Sequence, residues 1–545
     1  MSKTVSIETT KKIGFMTGLS MLIGSVIGIG IFLKNAGIFS TNQFNPTGII
    51  LTWVIGSIIA LATAFSFSEI GSSVRSRAGL GAWAEKLLGR KAGYFIKVLF
   101  PLFYMGIMMV VLSIFAAESL FVIFDTDTSQ PFGIVLLVGF LLMFYFLIFN
   151  LVSLKLSGIF SSLTTILKFV PLLMIIIAGI VIASMNGNGG LIGTSPGSPV
   201  PGAGENAPVV GEFNFGFVIA SLPSVLFAFD SFANVGNLAL DIKNPKKNVP
   251  LVIVVGIILS AVFYILVTIS QLFRSNGNGI DFFNDPLFAE ASIALTYTIR
   301  FFILISVIGV VNSFSASSLR AFQSLISENL FFASDSVRKI SSKTPFIKKY
   351  ELASGFILEI IVICIWWTII MLPSVIVNAD KGGTDAFVDG ISNFPTMFFF
   401  LVYGALIMGA LWNRKTNKVK VQKQKFFLVI GPIAIIGILI IFSYLFFFWF
   451  LINPIMLIDD HTANYGWGLF YTNGFVTTPW YSLILFFLSL LTFIFLPIIN
   501  FKLKKRSDKK KGIITTFENS YNPLIDEEDN EEENIQYNVE KNEYI

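Results

Sequence analysis

The chain has 545 residues, of which 54% are hydrophobic and only 13% charged, and its formal net charge is +5. This composition lies far from the soluble average and identifies a polytopic membrane protein. With one cysteine and one histidine, the sequence excludes a disulfide framework, thiol or histidine catalysis and metal clusters. We therefore predict no catalytic residue, no metal and no cofactor.

Apolar stretches of roughly 20 residues, the length that crosses a bilayer, occur twelve times. The predicted spans are 15–38, 48–70, 98–124, 132–153, 157–183, 216–240, 250–273, 292–319, 352–373, 394–412, 426–452 and 480–500. The first stretch is long and has no small-residue cleavage site, so it is interpreted as a span and not as a signal peptide.

Lysine and arginine indicate which side of the membrane each loop occupies. Of 38 such residues, 32 lie in the terminal segments and alternate loops assigned to the inside, and three lie outside: Lys34, Arg274 and Lys381. Because positively charged short loops remain cytoplasmic, both termini are predicted to be cytoplasmic, and the even number of spans agrees. We expect a multi-pass protein of the cell (plasma) membrane.

The first span carries three glycines between Gly24 and Gly30. Unwound backbone at membrane depth is tolerated only where protein or a polar cavity satisfies it, and a broken helix is the best sequence indication of a transporter's substrate site. Small residues at this spacing also allow close helix packing. We favour packing for Gly14 and Gly18, and substrate contact for Gly28 and Gly30.

A second interrupted span follows five spans later, from Phe227 to Asn237, with Pro223 before it and a proline-containing segment at 243–250 after it. An offset of five gives the two halves opposite orientations, which is typical of an inverted repeat with broken first helices.

Five segments of the chain resemble the amino acid, polyamine and organocation (APC) transporter superfamily. They are Gly28–Phe32, Phe65–Glu69 followed by Ala78–Gly81, Lys168–Pro171, Phe227–Phe229 through Asp241–Pro245, and Asn312–Arg320. Together they cover residues 14 to 330, whereas beyond 350 only the span count and the charge pattern agree. The resemblance implies an all-α LeuT-type fold: two inverted five-helix repeats, two extra helices, and substrate between discontinuous helices 1 and 6.

The predicted organisation follows from this order. It comprises a cytoplasmic N-terminus (1–12), repeat 1 (13–183), a flexible Gly/Pro-rich outer loop (184–214), repeat 2 (215–412), helices 11 and 12 (426–500) and a cytoplasmic tail (501–545). The basic run 502–511 is expected to rest on anionic lipids of the inner leaflet. The acidic residues 526–533 are interpreted as a solvated end, with regulation as the alternative.

The resemblance also implies a set of substrate-binding residues. They are Ile27, Gly28, Ile29 and Gly30 in the first helix and Phe227, Ala228, Phe229 and Asp230 in the sixth. Amides near Gly30 suit a carboxylate, and carbonyls of Ile27 and of 227–230 suit an ammonium. An aromatic gate is assigned to Phe227 or Phe232, and Tyr104 is placed over the cavity, with an ordinary core role as its alternative.

Two departures from the family pattern lie near this set. Ser231 replaces a usual glycine and Ala233 a usual acidic residue, which puts the unwinding and any coupling through that acid in doubt. An unpaired Asp230 near the midplane would cost roughly 3 kcal/mol or more, so it needs either a protein partner or a cationic substrate. Both readings stay open, and the second predicts a preference for basic amino acids.

Lys168 lies about 11 residues, or ~17 Å, into the fifth span, too deep for its ammonium to reach water. It resembles the fifth-helix lysine that replaces a sodium ion between helices 1, 5 and 8 in proton-coupled family members. A lysine removed from water can exchange protons near neutral pH. We predict sodium-independent, proton-coupled transport, with a structural counter-ion as the alternative.

The function predicted from these residues is secondary transport of amino acids by alternating access. An amino acid exchanger and a polyamine transporter are the alternatives within that class, and a substrate sensor or channel is the alternative outside it. The chain has no Walker motif and no acidic or histidine cluster at one face, as a pump or a membrane enzyme would need. The expected partners are the amino acid, protons and membrane lipids, without nucleic acid, and the oligomeric state stays open.

Four further polar residues lie in or at the ends of the spans. Arg300 and Glu118 are placed near outer ends, and Glu69 and Arg320 at inner ends, where they are expected to fix packing or the inner gate. Glu359, in the ninth span, is left without a role.

Overall fold

The computed structural model describes residues 13–516 apart from 75, 77, 125–131, 185–189, 202–207, 240, 274–282, 284–290, 378–385 and 453–478. The predictions for residues 1–12, Arg274, Lys381 and the acidic tail lie outside the described residues. "Inner" and "outer" below keep the sense of the charge-based prediction.

Within the described residues, twelve helices are long and apolar enough to cross a membrane, which confirms the predicted number of spans. Their bounds are span 1a, Phe15–Val26; span 1b, Ile29–Phe32; span 2, Pro46–Ile70; span 3, Arg90–Leu99, Phe100–Met105 and Gly106–Ile123; span 4, Phe132–Val152; span 5, Leu154–Ser184; span 6a, Phe215–Phe229; span 6b, Phe232–Leu238; span 7, Pro245–Leu272; span 8, Ser292–Ser327; span 9, Ala353–Val377; span 10, Ala386–Thr416; span 11, Phe427–Tyr444 and Leu445–Ile452; and span 12, Pro479–Lys509. Short helices Asn35–Thr41, Leu80–Leu88 and Ser334–Lys343 lie between them.

The packing of the spans repeats with an offset of five. Span 5 packs against spans 1 and 8, and span 10 packs against spans 6 and 3 in the corresponding way. The apolar window of span 3 is entirely buried, whereas only 28% and 22% of those of spans 11 and 12 are. The core therefore lies among the first ten helices, with the last two at its edge, as the predicted fold class requires.

Both predicted breaks are present. Span 1a ends at Val26, Ile27 is extended, and the helix resumes at Ile29. In the other repeat Asp230 is extended and Ser231 adopts the left-handed region with φ 71°, after which the chain resumes as a 3₁₀-helix. That conformation costs a residue other than glycine roughly 1–2 kcal/mol. The serine therefore accommodates the break that its presence put in doubt.

The outer loop at 184–214 is anchored where the structure describes it. The Leu191 amide donates to the Leu272 carbonyl at 2.7 Å, and the Gly211 amide donates to the Gln43 carbonyl at 2.8 Å. An isolated bridge joins Pro199 to Val209. The Gly/Pro-rich composition predicted flexibility, but these backbone bonds attach the described part of the loop to the ends of the spans.

Ion pairs join helix ends on the inner side. Arg320 pairs with Asp241 at 2.5 Å, and the backbone of Ile13 bonds to that of Asp241, which attaches the start of span 1 to the segment after span 6. Both oxygens of Glu69 accept from Arg414, at 2.8 and 2.5 Å. Glu69 and Arg320 thus connect helix ends in this conformation.

Candidate substrate and coupling site

The two breaks lie against each other, and glycine makes this approach possible. A Cβ added at Gly30 would lie 2.3 Å from the Cβ of Ala228, and one added at Gly28 would lie 2.6 Å from Val310 in span 8. By contrast, a Cβ at Gly14 would meet nothing within 4 Å, and one at Gly18 only ordinary contacts from 3.5 Å. The packing role assigned to Gly14 is therefore wrong, because no neighbour approaches it.

The break in span 1 leaves backbone donors unused. Helical hydrogen bonds resume with the Phe32 amide donating to the Gly28 carbonyl at 3.3 Å. Among the described residues, the amides from Gly28 to Ile31 have no acceptor. These are buried polar groups in an apolar span, and such groups normally have a partner. They are thus available to an anionic group at the break.

The carbonyls at the break, in contrast, are largely occupied. Lys168 Nζ donates to the carbonyls of Gly24 and Ile27, both at 2.6 Å. The Tyr264 hydroxyl of span 7 lies 2.9 Å from the Val26 oxygen and 3.0 Å from the Ala228 oxygen. Of the carbonyls expected to receive a substrate ammonium, that of Ile27 therefore already has a protein donor, and that of Ala228 shares the single Tyr264 hydroxyl proton with that of Val26.

Lys168 is fully buried between spans 1 and 5. Its two carbonyl acceptors lie at the C-terminal end of span 1a, where the helix dipole is negative and favours a cation. No described carboxylate forms an ion pair with it. Backbone carbonyls at the break thus take the place of a counter-ion. Lys168 lies beside the break in span 1, where the coupling lysine is predicted to lie.

Asp230 is held by hydroxyl groups from two other spans. Its Oδ2 accepts from Tyr104 at 2.8 Å and from Thr396 at 2.9 Å, and its Oδ1 accepts from Tyr403 at 3.2 Å. Within the described part of the chain, no lysine or arginine pairs with it. Of the two readings left open, the hydroxyl set therefore favours a protein partner over a cationic substrate.

Tyr104 reaches Asp230 from an irregular part of span 3. Residues Phe100–Met105 form a π-helical turn, a feature that often marks functional sites because it rotates side chains out of helical register. The Tyr104 ring stacks on Phe100 with centroids 5.1 Å apart. The residue is fully buried against the break in span 6, and its role over the cavity stays a prediction.

The other predicted aromatic residues form two clusters on either side of Asp230. Phe229 contacts Trp53 and Tyr264 through edge-on or tilted rings. Phe232 contacts Phe67 and Tyr403 at centroid distances of 5.4 and 5.3 Å. Both phenylalanines are fully buried, so the break is enclosed by aromatic rings in this conformation.

Phe227 lies beside a cation that the sequence placed in an outer segment. Lys34 Nζ lies 4.4 Å from the centroid of the Phe227 ring and donates to Asn393 Oδ1 at 3.1 Å. With 2% exposure, Lys34 is a buried residue of the outer side. The predicted gate residue therefore carries a cation–π contact.

Four site residues escaped the sequence analysis: Lys34, Tyr264, Thr396 and Tyr403. Each comes from a segment without a family motif, or from one where only the span count was available. A partial signal existed, because a hydroxyl group deep in an apolar span requires a partner. Which partner it meets depends on helix packing, which no single segment specifies.

Comparison with known proteins agrees with this architecture. The sequence model of the amino acid permease family matches residues 13–478. The chain is 22% identical over 468 residues to an uncharacterized protein of Mycoplasma pneumoniae, covering 78% of this chain and 82% of that protein. It is 23% identical over 270 residues to the serine/threonine exchanger SteT of Bacillus subtilis, covering 50% and 56% of the two chains. It is also 23% identical over 318 residues to the b(0,+)-type amino acid transporter 1 of Oryctolagus cuniculus, covering 57% and 61%. These last two alignments span under two thirds of each relative's length. The APC resemblance is confirmed, and the chain belongs to the amino acid permease family.

Proposed function

We propose that the protein is a secondary transporter of amino acids that works by alternating access across the plasma membrane. The observation that carries the proposal is the meeting of two broken spans at Gly30 and Ala228, beside four buried amides that have no acceptor among the described residues. Unpaired amides at the start of a helix favour a carboxylate, and paired discontinuous helices are typical of transporter substrate sites. Membership of the amino acid permease family supports the same substrate class.

Proton coupling without sodium is the second part of the proposal. The Lys168 ammonium occupies the carbonyls of Gly24 and Ile27, which are oxygen ligands of the kind that bind a sodium ion. Loss of its proton would remove the positive charge from the bonds to these two carbonyls and so weaken the contact between spans 1 and 5. A proton gradient could therefore act directly on the broken helix.

The test is uptake of a pooled labelled amino-acid mixture by reconstituted vesicles. An inward proton gradient is compared with an inward sodium gradient, with protein-free vesicles as control. Accumulation with protons alone is expected. Accumulation that requires sodium would contradict the coupling proposal, and absence of both uptake and counterflow would contradict transport of amino acids.

Exchange is a second candidate, because SteT, with which the chain shares 23% identity, is described as a serine/threonine exchanger. An exchanger would give counterflow in preloaded vesicles but no net accumulation under a proton gradient. A sensor would bind amino acids without either flux, and a channel would show single-channel conductance.

The proposed orientation places both termini and the basic run 502–511 in the cytoplasm. Part of that run is engaged by the protein, since Lys511 pairs with Asp335 and Lys504 lies 3.3 Å from Asp508. The hydrogen bond from Lys511 lowers the pKa of the Asp335 carboxyl. The remaining basic residues of the run are left for anionic lipid headgroups of the inner leaflet.

A further inference from the structure

Glu359 is a buried carboxyl group that the site described above does not use. Its side chain is 0% exposed, and the residue lies within span 9, six residues or ~9 Å from the inner end of that span. Oε1 accepts a hydrogen bond from the Ser318 hydroxyl of span 8. Oε2 has no hydrogen-bond partner among the described residues. A charged carboxylate in such a place is strongly disfavoured, whereas a carboxylic acid is not.

Charged groups on the neighbouring elements are engaged elsewhere. Span 9 packs against spans 3, 4, 8 and 10 and the helix Ser334–Lys343. The ion pairs and hydrogen bonds of their ionisable side chains include Arg320 with Asp241, Lys97 with Glu85 and Glu328, Arg414 with Glu69, Arg338 with Asp335, Tyr104 and Tyr403 with Asp230, Tyr94 with Asn500, and Arg300 with the Val122 carbonyl, and Arg90, Lys91 and Glu118 of span 3 are engaged as well. Lys339, Lys343 and Lys415 are exposed at the inner side. No described cation thus pairs with Glu359.

The interface between spans 8 and 9, called the seam below, carries two polar contacts, one on the inner side of this carboxyl and one at it. Between the inner ends of spans 8 and 9, Gln323 Oε1 accepts from the Ser354 hydroxyl at 2.9 Å and from the Gly355 amide at 2.7 Å. Gln323 is partly exposed. The next contact described between polar side chains of these two spans is that of Ser318 with Glu359. Polar contacts therefore lie at the inner end of the interface and at the buried acid, and apolar side chains such as Leu319, Phe322 and Leu358 lie between them.

The same part of span 8 holds the second half of broken span 6. Ser317, adjacent to Ser318, donates to the Asn234 carbonyl at 2.9 Å and accepts from Asn237 Nδ2 at 2.9 Å. Two consecutive serines thus link Glu359 on one side of span 8 to span 6b on the other. A change in charge at Glu359 would act on a segment that also positions the substrate site.

We propose that Glu359 is a second proton-binding site, separate from Lys168 and reached from the inner side along the seam between spans 8 and 9. The proton adds to Oε2 to form an O–H bond, while Oε1 continues to accept from Ser318, and no other covalent bond changes. Loss of that proton leaves a negative charge that one serine does not satisfy. The ionised form therefore favours a conformation in which water enters the seam.

The first test does not depend on transport. Infrared difference spectra of the reconstituted protein, taken between acidic and alkaline buffer, report the C=O stretch of a neutral carboxylic acid. We expect such a band in the parent protein and in Asp230→Asn, and its loss in Glu359→Gln. Glu359→Asp, which keeps a carboxyl group, should retain a shifted band. A band of unchanged position and amplitude in Glu359→Gln, or no band in the parent, would overturn the proposal.

The consequence for transport rests on the proposed function. Counterflow is measured across a pH series, and the ratio of the highest to the lowest rate gives the pH dependence. This ratio should be at least about five-fold smaller in Glu359→Gln than in the parent, which is the scale of a typical coupling between two sites. Cys364→Ser, a half-buried substitution in the same span, should keep the parent profile. An unchanged profile in Glu359→Gln would overturn the coupling to transport. If the parent shows no counterflow, the proposed function fails, and the infrared result still decides whether Glu359 binds a proton.

Discussion

Individual side chains at the break carry the charges on which the proposed mechanism depends. Lys168 is satisfied by two backbone carbonyls, and Asp230 by three hydroxyl groups. Neither uses the other as a counter-ion, although both adjoin broken helices. Each side chain therefore depends on the conformation of a backbone segment or of a hydroxyl cluster, and under the proposed mechanism a substrate or a proton would act on that local structure.

Two replacements of Lys168 distinguish the role of its positive charge from the role of its exchangeable proton. Lys168→Ala leaves the carbonyls of Gly24 and Ile27 without their donor, and loss of a hydrogen bond to a charged group costs about 1.5–3 kcal/mol. Lys168→Arg keeps a positive charge but cannot give up its proton. We expect both variants to lose uptake driven by a proton gradient, as measured in reconstituted vesicles. Full gradient-driven uptake by Lys168→Ala would contradict the coupling role.

Asp230 is expected to act through its hydroxyl partners. Asp230→Asn keeps the shape of the side chain but forces a hydroxyl of Tyr104, Thr396 or Tyr403 to face an amide donor, which costs about 1–3 kcal/mol. We predict that uptake of neutral and of cationic amino acids falls by the same factor, with Tyr403→Phe as a partial version. Selective loss of cationic substrates in competition assays would instead restore the basic-substrate hypothesis.

At the scale of elements, the structure is organised by how closely broken spans 1 and 6 approach. The contact between Gly30 and Ala228 leaves no room for a Cβ, and the left-handed Ser231 redirects the chain directly after span 6a. The π-helical turn of span 3 then brings Tyr104 to the same point. Three irregular backbone segments therefore meet at one candidate site. Each of them costs conformational free energy that a regular helical span would not.

A single methyl group tests this approach. Gly30→Ala would place a Cβ 2.3–2.4 Å from Cβ and Cα of Ala228, and overpacking of this kind costs typically 1–3 kcal/mol. We expect lower thermal stability in detergent and loss of uptake. Gly14→Ala is the matched control, because its Cβ meets nothing within 4 Å. Equal stability and uptake in the two variants would show that the close approach is not required.

For the whole molecule, the charge asymmetry predicts one orientation in the membrane, and its test needs only surface positions. In a Cys364→Ser background, cysteines replace Ser195 in the outer loop and Ser342 in the helix Ser334–Lys343, both exposed. In intact cells, a membrane-impermeant maleimide should label the first variant, and label the second only after permeabilisation. The reverse pattern would invert the topology and with it the inner access proposed for Glu359.

The sequence by itself determined the number of spans, the two breaks and the family. Apolar length, glycine placement and five short motifs are local properties, so they are legible without knowing which helices touch. Lys168 was recognised for the same reason, because a cation so deep in a span is anomalous whatever surrounds it. In contrast, the tight packing of Gly24, Gly28 and Gly30, and the absence of any at Gly14, depend on neighbours from other spans.

Only the tertiary structure decided which polar groups are already satisfied. It assigned Tyr264 to the carbonyls of both breaks, Tyr403 and Thr396 to Asp230, and no partner among the described residues to one oxygen of Glu359. These pairings join residues far apart in the chain. The physical reason is that hydrogen bonds act over about 3 Å, so their partners are set by helix packing and not by sequence neighbours.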